Sequence, residues 1–131
     1  MTEVFVDSYF WLGAINSRDP YHTQILQTPK PAQGVTTLAV VMEVMDALCG
    51  PKIRETAAQF WKHIHADPDL VIVRLEEDLL ARAIAVYELH RDKAWSFTDC
   101  ISFVVMKDRR ISEALAADHH FEQAGFSIRY K

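Results

Sequence analysis

Val4-Phe5-Val6-Asp7-Ser8 decides how the chain is read. Three apolar residues in succession, without alternation, describe a strand buried on both faces, the pattern of a parallel sheet covered by helices. Asp7-Ser8 ends the run and can cap a helix through Tyr9, Phe10, Trp11, Leu12 and Ile15. Asp7 therefore stands just past the carboxyl end of a strand, where open α/β sheets bind their ligands.

Outward from this strand the same alternation continues. Thr28-Pro29-Lys30-Pro31 and Gly34 punctuate a loop. Gly34 to Thr37 offers a second strand before an apolar helix from about Leu38 to Leu48, closed by Gly50-Pro51. A helix over about Lys52 to His65 places Ile53, Ala57, Phe60, Trp61 and Ile64 at helical spacing. Asp67-Pro68-Asp69 turns the chain into a third strand, Leu70 to Val73. A helix from Glu76 to about His90 follows, with Leu79, Leu80, Ala83, Ile84, Val86 and Tyr87 expected on its core side. After the polar linker Arg91-Asp92-Lys93, Ser96 or Thr98 can cap a mostly apolar helix from Asp99 to about Lys107. Alanine content in Ser112 to Ala117 suits a helix. Gly125 ends a short helix, and Ser127 to Tyr130 makes a final strand. Strands alternating with helices imply an α/β sandwich with a mainly parallel sheet.

At 131 residues, half of them apolar, the chain fits one globular domain over 1–131. A formal charge of −4 argues against gripping nucleic acid by charge alone, although bound cations would offset carboxylates where a phosphate docks. Cys49 and Cys100 lack metal-ligand spacing and read as buried small hydrophobes of a reducing compartment. The acidic start MTEVFVDS is unlike a secretory signal, and no stretch approaches the roughly 20 apolar residues that span a bilayer. The expected location is cytoplasmic, without membrane contact.

Four acids stand where acids need an explanation. Glu43 lies within Leu38 to Met45, where nearly every neighbour is apolar, and burying a lone carboxylate there is costly. Its ordinary explanation is a solvated stripe shared with Asp46. Asp99 falls in the first turn of its helix, where the dipole already favours an acid. Asp7 and Asp118 have ordinary roles as caps after strands. Together, two acids at strand ends and two on apolar helices suit phosphodiester hydrolysis, because hard oxygen ligands bind Mg2+ or Mn2+.

Val4-Phe5-Val6-Asp7-Ser8, Glu43 in its apolar helix, Trp95-Ser96-Phe97-Thr98-Asp99-Cys100-Ile101-Ser102-Phe103 and Ala117-Asp118-His119-His120-Phe121-Glu122-Gln123-Ala124-Gly125-Phe126 resemble the PIN domain. The likeness is greatest to the VapC-like toxins of prokaryotic toxin–antitoxin pairs and spans essentially the whole chain. It implies a three-layer α/β/α sandwich with about five parallel strands, which makes the Ala114 to Ala117 segment a strand. It also implies that Asp7, Glu43, Asp99 and Asp118 form a catalytic Mg2+ or Mn2+ site of an endoribonuclease, acting on single-stranded or structured RNA. A homodimer and a cognate antitoxin partner follow from the same resemblance. Where the family often carries Ser or Thr, two residues before the last acid, this chain has Ala116, so Asp118 lacks that hydroxyl. Asp92 is a candidate acid at the rim. Lys107, Arg109 and Arg110 are candidate holders of RNA phosphates near the metal, their ordinary role being a solvated basic helix end. One of Tyr9, Phe10 and Trp11 is a candidate interface residue, with core packing as its ordinary role.

Other readings are weaker. Asp118-His119-His120 spells the triplet of another phosphoesterase family whose further motifs are not evident. His63 and His65 point to different helix faces and cannot chelate one ion together. A phospho-receiver would need paired acids and a late Lys at strand ends, and the third and late strands here run into Arg74-Leu75 and Ala117-Asp118. The alternative within the same fold is a non-catalytic module that binds protein or RNA.

Overall fold

The computed structural model describes residues 2–130, so Met1 and Lys131, the ends of the expected domain, lie outside the described residues. Five strands form one sheet: β1 (Val4–Val6), β2 (Gly34–Thr37), β3 (Leu70–Val73), β4 (Glu113–Leu115) and β5 (Ser127–Ile128). Their order is β3-β2-β1-β4-β5, and every neighbouring pair is parallel. Among the described residues seven α-helices cover it: α1 (Ser8–Ile15), α2 (His22–Gln27), α3 (Leu38–Ala47), α4 (Arg54–Ala66), α5 (Glu77–Leu89), α6 (Phe97–Asp108) and α7 (His119–Gln123). The result is the α/β/α sandwich expected from the sequence.

From β1 the chain winds outward through β2 to the edge strand β3, then returns across the sheet to β4 and β5. The direction of winding therefore reverses between β1 and β4. At that switch point the carboxyl ends of adjacent strands open a crevice. Asp7 follows β1 there and Asp118 follows β4, and the Asp7 N–H donates to Leu115 O at 3.3 Å, tying the two exits together.

Burial explains why β1 reads as an unbroken apolar run. Phe5 is fully buried in a cluster that includes Ala83, Cys100, Phe103 and Phe121, while Val6 packs on the other face with Ile25, Leu115 and Tyr130. Thr36 is buried too, and its hydroxyl donates to Val6 O at 2.8 Å, so a polar side chain inside the sheet is satisfied by its neighbouring strand. Thr37 ends β2 and caps α3 with no intervening loop, its hydroxyl accepting from the Val40 N–H at 3.2 Å.

Several expectations are corrected. The segment Asn16 to Gln27, unassigned by pattern, holds α2, tied to α1 by His22 Nδ1 at 2.8 Å from Gly13 O. Ile53 sits in a 3-10 turn, Pro51–Ile53, ahead of α4, and both Ile53 and Trp61 are exposed while Ala57, Phe60 and Ile64 are buried. Ile84 and Tyr87 face outward from α5, because α6 covers only a narrow stripe of that helix centred on Leu79 and Ala83. Cys49 is exposed, since the chain leaves α3 before reaching it, whereas Cys100 is buried as expected. Of residues 114–117, Ala114 and Leu115 are strand and Ala116 and Ala117 are not; the last strand ends at Ile128, although the Tyr130 N–H still donates to Ala116 O. The helix around Asp99 starts earlier, at Phe97, and its cap is Ser96. Ser96 Oγ accepts from the Asp99 N–H at 3.0 Å while Asp99 Oδ2 accepts from the Ser96 N–H at 3.2 Å.

This reciprocal cap has a measurable value. Ser96→Ala is expected to cost about 1 kcal/mol, a fall in Tm of roughly 3–5 °C for a chain of this size, with Thr98→Ala costing less than half as much. Thermal melts of the two variants decide which residue caps the helix.

Candidate active site

Each predicted acid reaches the switch point by a separate route. Asp7 is the N-cap of α1, yet its carboxylate makes no side-chain cap bond to the helix, which frees it for the crevice. Glu43 projects from the second turn of α3, and Asp99 from the first turn of α6. Asp118 is the N-cap of α7, its Oδ1 accepting from the His120 N–H at 3.0 Å. All four line one hollow of about 280 Å3, together with Ser8 and His120.

Within it, the Ser8 hydroxyl donates a short hydrogen bond to Glu43 Oε1, so the residue beginning α1 fixes the acid on α3. His120 Nδ1 lies 3.1 Å from Asp99 Oδ2 and 3.1 Å from Asp118 Oδ2. Both neighbours are acceptors when ionised, so the ring presents a proton on Nδ1 to the two carboxylates. Among the described residues, no Lys or Arg pairs with any of the four acids.

Asp7 carries the electrostatic strain of this arrangement. It is only 8% exposed. Burial, and after it the nearby Glu43 carboxylate, pushes its pKa up from 3.8 to about 7, with Asp99 and Asp118 adding and the Ser8 N–H opposing. Oxygen-rich, negatively charged and short of cations, the four-acid cluster fits a hard divalent ion such as Mg2+ or Mn2+. Among the described residues, the group that brings three ligand atoms within 4.8 Å of one another is Asp118, His119 and His120, with His119 exposed; Asp7, Glu43 and Asp99 line the same hollow without joining a group that close.

The remaining expectations fare unevenly. Glu43 is exposed along with Asp46, so α3 presents it to the hollow and does not bury it among apolar neighbours. The missing hydroxyl at Ala116 is compensated differently: Ala116 is fully buried, and Asp118 is held by the main chain and ring of His120. Asp92 does not line the hollow; its exposed carboxylate pairs with Lys93 at 3.0 Å, which holds it below the usual carboxylate range. Lys107, Arg109 and Arg110 are not near the acids. They follow Asp99 along or just beyond α6, about 15 Å of helix by its end, and Arg109 binds Glu3, ahead of β1, at 2.8 Å. A basic run shortly after an acid in sequence is placed far from it by a straight helix. Pattern reading missed Ser8 and His120. Ser8 had a signal in its place directly after Asp7, whereas His120 was masked by the more frequent surface role of histidine.

The PIN domain family model matches residues 4–127. The 23S rRNA-specific endonuclease VapC20 of Mycobacterium tuberculosis is 30% identical over 128 residues, covering 94% of this chain and 95% of that protein. The crystal structure of M. tuberculosis VapC20, described as a Sarcin-Ricin loop cleaving toxin, matches with a TM-score of 0.81 at 30% identity over 94% and 95% of the two chains. A toxin–antitoxin complex from Klebsiella pneumoniae shares the fold, with a TM-score of 0.66 at 14% identity over 96% and 95%.

The raised pKa of Asp7 has a signed consequence for stability. The folded protein holds a proton on Asp7 that the unfolded chain releases near pH 3.8, so in chelator this residue's favourable contribution is complete below pH 3.8 and lost as pH rises through about 7. Asp7→Asn removes the loss. Its stability relative to wild type, read from urea melts in chelator, is expected to climb between pH 4 and 7 by on the order of 2–4 kcal/mol and then level off. A pH-independent difference would show that Asp7 is not held in this environment.

Proposed function

Because this chain belongs to the PIN-domain family, we propose that it is a metal-dependent endoribonuclease, the toxin of a toxin–antitoxin pair. Asp7, Glu43, Asp99 and Asp118 are assigned as holders of Mg2+ or Mn2+. The observation that carries this reading is the buried Asp7 carboxyl, crowded by three further carboxylates without a Lys or Arg partner. Such a cluster costs stability and has no structural use that a capping residue would not serve. When bound, a divalent cation there supplies a water of lowered pKa as nucleophile and offsets negative charge on the phosphate.

The chain's own residues do the positioning. Ser8 holds Glu43 by its short bond, and His120 aligns Asp99 with Asp118 while the Ser96 cap fixes the turn that carries Asp99. Asp7 is anchored at the strand exit with its ladder bond to Leu115. Like VapC20, the protein is proposed to act on a loop of 23S rRNA, in the cytoplasm, as a homodimer silenced by a cognate antitoxin. Among the described residues no helix is long and apolar enough to cross a membrane.

Purified protein is expected to cut 23S rRNA in Mg2+ or Mn2+ and to leave it intact in chelator. Asp7→Asn and Asp99→Asn should each retain under about a hundredth of the activity, since even outer partners of metal ligands are worth 10–100-fold. Calorimetry on the same samples separates the alternatives: metal binding without cleavage would mean the wrong RNA, and no metal binding would favour a non-catalytic module. Mn2+ is further expected to raise the Tm of wild type and not of Asp7→Asn, because only a competent site is stabilised by mass action.

A further inference from the structure

The carboxylate hollow has a neighbour of opposite character. Residues 93–96 lie between them. Ala94 and Ser96 line the acidic hollow, whereas Lys93 and Trp95 line a second one of about 210 Å3, so the segment serves the two hollows alternately. Tyr87, His90, Arg91 and Cys100 complete the second hollow.

Its aromatic surface is fixed from below and open above. Trp95 is buried, with its Nε1–H donating to Gln123 Oε1 at 2.9 Å and its ring edge-on to Phe103. The His90 ring lies over Trp95 with centroids 4.7 Å apart. Tyr87 is 48% exposed and braced against Phe97. The cations are available. Arg91 has no hydrogen bond or ion pair among the described residues, and Lys93 has only the adjacent, largely exposed Asp92, an exchangeable partner.

We propose that this hollow binds the nucleotide next to the scissile phosphate of an RNA strand, its base against Tyr87 and His90 and its phosphate on Arg91 and Lys93. The inference rests on the ribonuclease reading above. An exposed aromatic face beside an unpaired guanidinium suits an unstacked base and its phosphate. With residues 93–96 between the hollows, a strand seated on the carboxylates meets this one next.

The test uses the full chain and a labelled hairpin RNA carrying the sarcin–ricin loop, with KM, kcat and the salt dependence of binding as readouts. Tyr87→Ala is expected to raise KM roughly five- to a hundredfold with little change in kcat, and Tyr87→Phe to restore it. Arg91→Ala with Lys93→Ala, which disturbs no packing, should flatten the salt slope by about 1.4, the equivalent of two single-strand phosphate contacts. Lys107→Ala with Arg110→Ala, at the far end of α6, should leave both readouts unchanged. Wild-type KM and salt slope in the Tyr87 and Arg91/Lys93 variants, with the wild type cutting normally, would overturn the subsite alone. Equal losses in the Lys107/Arg110 control would overturn it as well, by showing a general charge effect. A wild type that neither binds nor cuts RNA would bring down the ribonuclease reading and this inference together.

Discussion

β1 is three residues long and is held on both edges, by β2 on one side and β4 on the other. That confinement fixes where Asp7 leaves the sheet. Phe5 and Val6 are buried on opposite faces, so the strand cannot slip by one residue without turning each into the wrong cluster. Parallel pairing on both sides also requires the chain to reverse its winding between β1 and β4. The crevice left there collects an acid from each strand exit, and the helices that begin beside it, α3 and α6, deliver the other two from early turns. The acidic cluster is thus a consequence of topology before it is a matter of side-chain chemistry.

Such a cluster opposes folding. Four carboxylates line one hollow with no Lys or Arg partner among the described residues, and the most buried of the four is held partly protonated near neutrality. The strain is tolerated because the surroundings over-determine it: β1 is locked in the ladder, Ser96 and Asp99 cap one another, and Phe121 packs between Phe5 and Phe103 beneath α7. Ala116 fits the same pattern. A hydroxyl there would lie in a fully buried position, and the support it would give to Asp118 is supplied by His120 instead.

The sequence made most of this legible, for identifiable reasons. β1 and α6 stood out because both are apolar on more than one side, and the acids because each interrupts or ends an apolar run. Residues 112–117 are ambiguous on propensity; pairing between β1 and β5 makes Glu113–Leu115 a strand and leaves Ala116 and Ala117 outside it. What failed was whatever depends on how much of a helix its neighbour covers. Periodicity placed Ile84 and Tyr87 with the core, but a stripe wide enough to include them exceeds what α6 shields. Glu43 shows the converse. Its neighbours along the chain are apolar, yet the direction of its side chain, and not their composition, sets its exposure.

Helix polarity explains where the cations are. α5 and α6 run antiparallel, as Arg82 on α5 meeting Asp108 at the end of α6 at 2.8 Å and Tyr87 meeting Phe97 at its start require. The end of α5 and the beginning of α6 therefore sit together beside the acids. The amino end of α6 favours the carboxylate of Asp99, and the carboxyl end of α5 favours Arg91 and Lys93, each by the local helix dipole. One turn of chain between two antiparallel helices places opposite charges on either side of residues 94–96. A chain with net charge −4 has little long-range attraction for RNA, so a local cationic edge of this kind is where association would be guided. Basic residues at the end of α6 are farther from the acids, because the helix that holds Asp99 in place also carries them away from it.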